Sequence, residues 1–239
     1  MRRFIPSQVQ LKIPNTWGQY EQNHYAQLYT QALRQIRDVS SVLYRFLIEY
    51  NHLIIFEVVD HMAKPGTVGV ANYINGMVYI TLARSEIGTQ TSMANAQLIT
   101  NIHDWRQVNK RPVKDLANIA SLGDSVADRE RASLIHELGH AFLHLAGPSG
   151  NMPLNVSKAM YALPITSVYS EKKLHIGKLQ TQGVSERFCE LLTLCAIAPR
   201  KALPIHRGSL KRAIKAVLNS KPLSPGQSAP RFWHLPQRS

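Results

Sequence analysis

Apolar residues recur at helical spacing in the first fifty residues and then give way to short runs typical of strands. The segment Glu21–Tyr50 has apolar residues three and four positions apart, which predicts one long helix. Three β-rich runs follow, over Leu53–Val59, Val68–Ile74 and Met77–Leu82. The dipeptide Asn75-Gly76 between the last two is typical of a type I′ turn and therefore predicts a β-hairpin. A strand of this hairpin can line a cleft and bind an extended peptide. Alternatively, the hairpin only completes the hydrophobic core.

The second half of the chain predicts fewer elements, joined by longer connections. Thr91–Val108 is predicted to be helical, and a helix of about twenty residues is expected between Ser125 and the stop at Gly147. Residues 147–182 show little periodicity and predict a long connection, which is often a functional loop. A second apolar helix is expected over residues 183–198, before a proline.

These elements predict an α+β protein with a small mixed sheet. Residues 1–220 are expected to form one domain, in which 19–124 supply N-terminal helices and the sheet and 125–220 supply the catalytic and C-terminal helices. Residues 221–239 are Pro- and Ser-rich and are expected to form a basic tail. A chain of 239 residues with 44% apolar residues can bury a full core, which excludes wholesale disorder.

The pentapeptide His136-Glu137-Leu138-Gly139-His140 is the strongest chemical signal in the chain. Residues at i and i+4 share one face of a helix, so His136 and His140 can offer their imidazoles to a single ion. Glu137 can then act as a general base on water at the open side of a zinc ion. A helix whose two histidines are merely packed or solvated is the alternative. Gly139 is unfavourable inside a helix by about 1 kcal/mol, which indicates a close packing contact there.

A zinc site of this type needs a third protein ligand. The extended metzincin motif would place a histidine at position 146, where this chain has Ala146. His144 is expected to support a metal ligand or simply to pack, rather than to bind the metal itself. Glu186 and Glu190 share one face of an otherwise hydrophobic helix, where carboxylates are costly unless neutralised. We therefore expect Glu186 to bind the metal and Glu190 to support a ligating histidine. A solvated acidic edge without a metal is the alternative.

The HELGH helix followed by a Glu-x-x-x-Glu helix resembles zincin metallopeptidases of the gluzincin type. The segments Ile165–Tyr169 and Glu186–Glu190 are similar to those of anthrax lethal factor and the related Pro-Pro endopeptidases. The resemblance covers roughly residues 125–200, and Cys189 stands where that family usually has alanine. It implies a zincin-like fold, Zn²⁺ as the cofactor and Glu186 as the third ligand.

The same resemblance implies a zinc-dependent endopeptidase that hydrolyses peptide bonds of a protein substrate. Glu137 would be the general base, and Tyr169 would stabilise the oxyanion of the transition state. His175 and Tyr161, from the same predicted loop, are substitutes for Tyr169, and ordinary loop packing of Tyr169 is equally compatible with the sequence.

Two other zincin groups share this expected ligand set. The chain is similar to the repressor-cleaving ImmA/IrrE-like proteins in its HELGHxxLH motif, and to the secreted NleD-like effector metalloproteases. The first similarity leaves a second function open, in which a regulatory zinc protein acts on a repressor or on DNA by binding rather than by proteolysis.

The charge of the chain is strongly positive, with 28 Lys and Arg against 15 Asp and Glu. Ser209–Leu218 predicts an amphipathic helix with a basic outer face, and no acid occurs beyond Glu190. Such a face favours acidic partners: a protein substrate, an anionic lipid or a nucleic acid, although no nucleic-acid motif supports the last.

Neither a membrane span nor a Sec signal is expected from the sequence, because no apolar run is long enough. Cys189 and Cys195 lie six apart on one predicted helix, where they cannot readily pair, which favours a reducing compartment. The predicted location is therefore the cytoplasm, or export as an effector without a Sec signal.

Overall fold

The computed structural model describes residues 10–63, 68–84, 97–98, 117–118, 126–147, 154–164, 166 and 180–220. Within these residues the chain forms six α-helices, a four-stranded mixed sheet and a two-stranded sheet. This confirms the α+β class and the small mixed sheet. In the same part of the chain, no helix is long and apolar enough to span a bilayer.

Within the described residues, one strand and two helices are followed by five strands, and the second half of the chain is helical. The strands are β1 Gln10–Lys12, β2 Ile54–Val59, β3 Gly69–Ile74, β4 Met77–Ala83, β5 Gln97–Leu98 and β6 Ala117–Asn118. The helices are α1 Gln19–Val39, α2 Ser41–Glu49, α3 Val126–Ala146, α4 Leu154–Tyr161, α5 Gln180–Ile197 and α6 Pro204–Asn219, with a 3₁₀ turn at Asn51–Leu53.

The larger sheet has the strand order β1-β2-β4-β3, in which β1, β2 and β4 are parallel and β3 is antiparallel to β4. The predicted hairpin is confirmed. Its turn residues Asn75 and Gly76 have φ angles of 50° and 86°, the left-handed conformation that a type I′ turn requires. Among the described strands, β3 therefore lies at one end of the sheet.

The prediction of one helix over Glu21–Tyr50 was wrong, because the chain breaks the helix at Ser40. Ser40 has extended backbone angles, with φ −153° and ψ 106°. Its hydroxyl accepts a hydrogen bond from the backbone N–H of Leu43, and so caps a second helix. The apolar spacing continues through the break at Ser40, so periodicity alone does not predict that break.

Three other predictions about elements need correction. The helix predicted over Thr91–Val108 is wrong at Gln97–Leu98, which pair with β6 as a strand; the rest of that range lies outside the described residues. The predicted connection 147–182 contains the helix α4. Helix α6 begins at Pro204, five residues before the predicted start, because proline suits the first turn of a helix.

The helices α3 and α5 pack against each other at the centre of the molecule. Phe142 of α3 stacks on Phe188 of α5, with ring centroids 5.6 Å apart, and meets Phe46 of α2 edge-on at 5.3 Å. On the other side of the core, Tyr29 of α1 contacts Phe56 of β2 at 5.7 Å. The stack of Phe142 on Phe188 joins α3 to α5, the two helices that carry the predicted ligands.

A polar contact also joins α1 to α3. Nε2 of His24 lies 2.8 Å from the buried Glu130 carboxylate, and the Tyr25 hydroxyl donates to the same carboxylate at 3.4 Å. Burial raises the pKa of Tyr25 well above its usual value, and the negative charge of Glu130 adds a smaller increase. Glu130 is therefore a buried carboxylate of α3 with partners of its own, distinct from Glu137.

Candidate metal centre

Helix α3 presents His136 and His140 on the face that meets α5. Their ring centroids are 5.0 Å apart and the rings are inclined by 68°. The Nε2 atoms of the two rings lie 3.2 Å from each other. His136 is buried and His140 is partly exposed. Both imidazoles therefore direct the same ring nitrogen towards one point.

Helix α5 brings the carboxylate of Glu186 to that same point. Its Oε2 lies 3.1 Å from Nε2 of His136, and its Oε1 lies 3.7 Å from Nε2 of His140. Glu186 is 5% exposed and Glu190 is 3% exposed. The alternative of a solvated acidic edge does not hold, because both carboxylates are in the protein interior.

These distances fit a tetrahedral zinc ion. With zinc–nitrogen and zinc–oxygen bonds of about 2.0–2.1 Å, two ligand atoms are about 3.3 Å apart. The separations of 3.1 Å from Nε2 of His136 to one carboxylate oxygen and 3.2 Å between the two Nε2 atoms lie close to that value, and the second oxygen lies 3.7 Å from Nε2 of His140. At most one of the two Nε2 atoms 3.2 Å apart carries a proton, so at least one of them offers a lone pair to the other or to an ion. His136, His140 and Glu186 can therefore hold a zinc ion with little rearrangement.

Glu190 lies on the other side of the His136 ring. Its Oε1 is 3.7 Å from Nδ1 of His136. This buried Nδ1 has no partner within hydrogen-bond distance among the described residues. A carboxylate beside the second nitrogen of a ligating histidine is the usual arrangement that fixes the ring and its tautomer. Glu190 therefore lies on the Nδ1 side of the His136 ring, and Glu186 on the Nε2 side.

The electrostatics of the metal-free cluster couple His136 to the surrounding carboxylates. Burial alone would lower the pKa of His136, but the hydrogen bond and charge of Glu186, with Glu137 and Glu190, raise it to about 9. Burial would raise the pKa of Glu186, but His140 and His136 hold it well below its usual value. Without metal, the cluster is thus a buried ion pair in which a proton takes the place of the cation.

Glu137 lies where α3 approaches the first residue of β3. A Cβ atom added at Gly69 would be 3.0 Å from Oε1 of Glu137 and 3.1 Å from its Cγ. The absence of a side chain at position 69 therefore lets the carboxylate lie directly against the strand. This places the predicted general base between the histidine pair and an outer strand of the sheet.

Gly139 allows α5 to approach α3 closely beside the histidines. A Cβ atom added there would lie 2.9 Å from Sγ of Cys189 and 3.3 Å from its Cα. The close contact predicted from this mid-helix glycine is confirmed. The Cys189 sulfur, a ring nitrogen of His136 and a ring nitrogen of His140 all lie within 4.8 Å of one another.

Of the other predicted residues, His144 and Tyr161 are described by the structure, and two others are not. His144 stacks on Tyr73 of β3, with ring centroids 5.9 Å apart and planes 14° apart, which agrees with the packing role predicted for it. Tyr169 and His175 lie outside the described residues. Tyr161, the remaining substitute for the oxyanion donor, is 49% exposed at the end of α4.

For Gly69 the sequence predicts no more than a place in a strand, although a glycine in a strand can mark a close approach of another group. For Cys189 the sequence favours a packed core thiol and leaves open an approach to the metal, because this residue lies beside the pair of Glu186 and Glu190 on one helix face.

Comparisons of the chain with models of known families, with curated proteins and with solved structures find no match. The chemistry of the cluster is therefore what indicates its function.

Proposed function

We propose that the protein is a zinc-dependent endopeptidase with a zincin-like fold and a gluzincin-type ligand set. The observation that carries this proposal is the convergence of His136, His140 and Glu186 from two packed helices, with ligand atoms 3.1–3.7 Å apart. Two histidines and one carboxylate leave a zinc ion an open position, as in catalytic rather than structural zinc sites. The buried Glu137 next to the first histidine supplies the carboxylate that hydrolysis needs.

Each residue has a distinct part in the proposed reaction. His136, His140 and Glu186 would hold the ion. When bound, the ion would act as a Lewis acid that lowers the pKa of water towards 7. The Glu137 carboxylate would accept a proton from the attacking water and return it to the leaving amine. Glu190 would accept a hydrogen bond from Nδ1 of His136 and hold the ring in place.

The position of β3 supports a peptide as the substrate class. This outer strand begins at Gly69 against Glu137, and its Tyr73 packs on α3 through His144. Among the described strands, β3 has a neighbour on one side only, and such an edge can bind an extended peptide through main-chain hydrogen bonds. A peptide bound there would pass close to the Glu137 carboxylate. Tyr169 remains the predicted donor to the oxyanion.

A comparison of Glu137→Gln with Glu130→Gln tests the proposed proteolysis. Both changes replace a buried carboxylate of α3 by an amide, but Glu130 has its partners on α1. We expect the protein and Glu130→Gln to generate the same new N-termini in a proteome, and Glu137→Gln to generate none while it keeps its zinc. An unchanged set of new N-termini in Glu137→Gln would overturn the proposal.

The ligand assignment is tested by the zinc content of two further variants. The purified protein should contain one equivalent of zinc, which Glu186→Ala should lose. Glu190→Ala should keep the stoichiometry and bind zinc about 10–100-fold more weakly, as is typical when a supporting residue is removed. Zinc kept in Glu186→Ala and lost in Glu190→Ala would reverse the two roles.

A regulatory role through binding is the second candidate, and the basic face of α6 favours it. Arg207, Lys211, Arg212 and Lys215 are all exposed on this helix, which contains no acidic residue. Such a surface attracts anionic partners, including a nucleic acid or an acidic repressor. If Glu137→Gln keeps the full biological activity and a basic-face variant loses it, this second function replaces the first.

A further inference from the structure

Helix α5 directs a sulfur atom towards the candidate metal centre as well as a carboxylate. Glu186, Cys189 and Glu190 are three and four residues apart and therefore share one helix face. All three are buried, and Cys189 is 0% exposed. The opposing face of α3 carries His136, Gly139 and His140. The thiol thus lies between the two helices, on the same side as the predicted ligands.

Gly139 is the reason why the thiol can lie so close to the histidines. Its missing side chain leaves room for Cys189, whose Sγ would be only 2.9 Å from a Cβ atom at position 139. Because Gly139 precedes His140 directly and follows His136 by three residues, the sulfur is brought to the level of the histidine pair. This contact is independent of the carboxylate contacts made by Glu186.

The sulfur lies close enough to the histidine nitrogens to share an ion with them. The ligand atoms of His136, His140 and Cys189 lie within 4.8 Å of one another. For a zinc–sulfur bond of about 2.3 Å and a zinc–nitrogen bond of about 2.0 Å, sulfur and nitrogen ligands are about 3.6 Å apart in a tetrahedron. This separation falls within the observed limit, so a side-chain adjustment can bring the sulfur to a bonding position.

We propose that the Cys189 thiolate binds the ion held by His136, His140 and Glu186 as a reversible fourth protein ligand. The inference rests on the proposed function, because it requires that ion. The thiol releases its proton to solvent as the sulfur–metal bond forms. With four protein ligands the site is closed, and with three it keeps a position for water. Cys189 therefore gives the centre a closed resting form and an open reactive form.

A sulfur ligand also determines which cations the centre takes. Thiolate ligands favour zinc, cobalt and cadmium over magnesium, calcium and manganese, which prefer oxygen. The soft sulfur, together with two imidazoles, therefore makes the site selective for thiophilic divalent cations. A site made only of two histidines and one glutamate would discriminate less strongly against manganese.

Cobalt spectroscopy of the full chain tests this inference without reference to catalysis. We expect the Co²⁺-loaded protein to show visible ligand-field bands and a near-ultraviolet charge-transfer band from sulfur to cobalt. The charge-transfer band should be lost in Cys189→Ser and kept in Cys195→Ser. Cys195 is the matched control, because it is also a buried thiol of α5 but does not belong to the His136–His140 group.

The outcomes separate this inference from the proposed function. Ligand-field bands without a charge-transfer band in the unmodified protein would overturn sulfur ligation and leave the metal centre intact. A charge-transfer band that persists in Cys189→Ser would overturn it as well, since another sulfur would be responsible. Failure of the protein to bind cobalt or zinc would overturn both. If Cys189→Ser does not fold, the unmodified protein and Cys195→Ser together decide the question, because Cys189 is then the remaining cysteine that can give the band.

Discussion

Replacement of Gly139 by alanine should destabilise the protein, although the same change stabilises most helices. In a helix interior, alanine is favoured over glycine by about 1 kcal/mol. At this position the added Cβ would lie 2.9 Å from Sγ and 3.3 Å from Cα of Cys189. The Cα belongs to the backbone of α5, so the contact cannot be relieved by a side-chain rotation alone.

The magnitude follows from these two opposing effects. Extra methyl groups in a well-packed core typically cost about 1–3 kcal/mol. After subtraction of the helix-propensity gain of about 1 kcal/mol, the net loss of unfolding free energy is about 1 kcal/mol. For a protein of this size, about 1 kcal/mol corresponds to a decrease in Tm of about 2–4 °C.

Gly208→Ala is the matched control for this experiment. Gly208 also lies inside a helix, but a Cβ atom there would be 3.6 Å from the flexible guanidinium of Arg212, which is an ordinary contact. This variant should gain about 0.4–1 kcal/mol. Urea and thermal unfolding of both variants measure the difference, which we expect to be about 1.5–2 kcal/mol. Equal stabilisation by the two substitutions would refute the reasoning that α3 and α5 are held in close contact at Gly139.

Gly139→Ala should also weaken zinc binding, and Gly208→Ala should not. The ligand atoms come from both helices and are only 3.1–3.7 Å apart, so a shift of a few tenths of an ångström between α3 and α5 changes the ligand geometry. Competition with a chelator measures this effect. Identical zinc affinities in the two glycine variants would contradict the view that the helix contact positions the ligands.

Three further predictions concern the same two helices. The pKa of His136 is raised to about 9 in the metal-free protein, whereas zinc binds the neutral ring. Apparent zinc affinity, measured by chelator competition, should therefore rise about tenfold per pH unit between about pH 7 and 9. His144→Ala should keep one equivalent of zinc by metal analysis and lose about 0.5–1.5 kcal/mol of unfolding free energy, since it removes the stack on Tyr73. Phe142→Ala should lose about 3–5 kcal/mol in urea unfolding, because this fully buried ring packs between two other phenylalanines.

Each of these predictions has an outcome that contradicts it. The sign of the pH effect would be wrong if zinc affinity were constant or fell over this range. Loss of zinc in His144→Ala would show that this histidine binds the metal instead of packing on the sheet. A loss below about 1 kcal/mol in Phe142→Ala would mean that the contact between α3 and α5 contributes little to the core.

Much of the fold could be predicted because local spacing and turn chemistry determine it. The hairpin depends on Asn75-Gly76, where both residues adopt positive φ, and this preference is local. Helix α3 likewise depends on apolar periodicity and on a stop at Gly147. The break at Ser40 could not be predicted from periodicity, since the capping hydroxyl interrupts the backbone without interrupting the apolar pattern.

The sequence by itself determined that His136 and His140 share a helix face, because helical geometry fixes the relation of residues four apart. Only the tertiary structure decided that Glu186, fifty residues later, meets the same nitrogen atoms, and that Glu190 lies behind the His136 ring. The physical reason is that the packing of α3 on α5 is set by long-range contacts, including the absence of a side chain at Gly139 and the stack of Phe142 on Phe188. The proximity of Cys189 to the histidines has the same origin, because its spacing from Glu186 shows only that the two residues share a helix face.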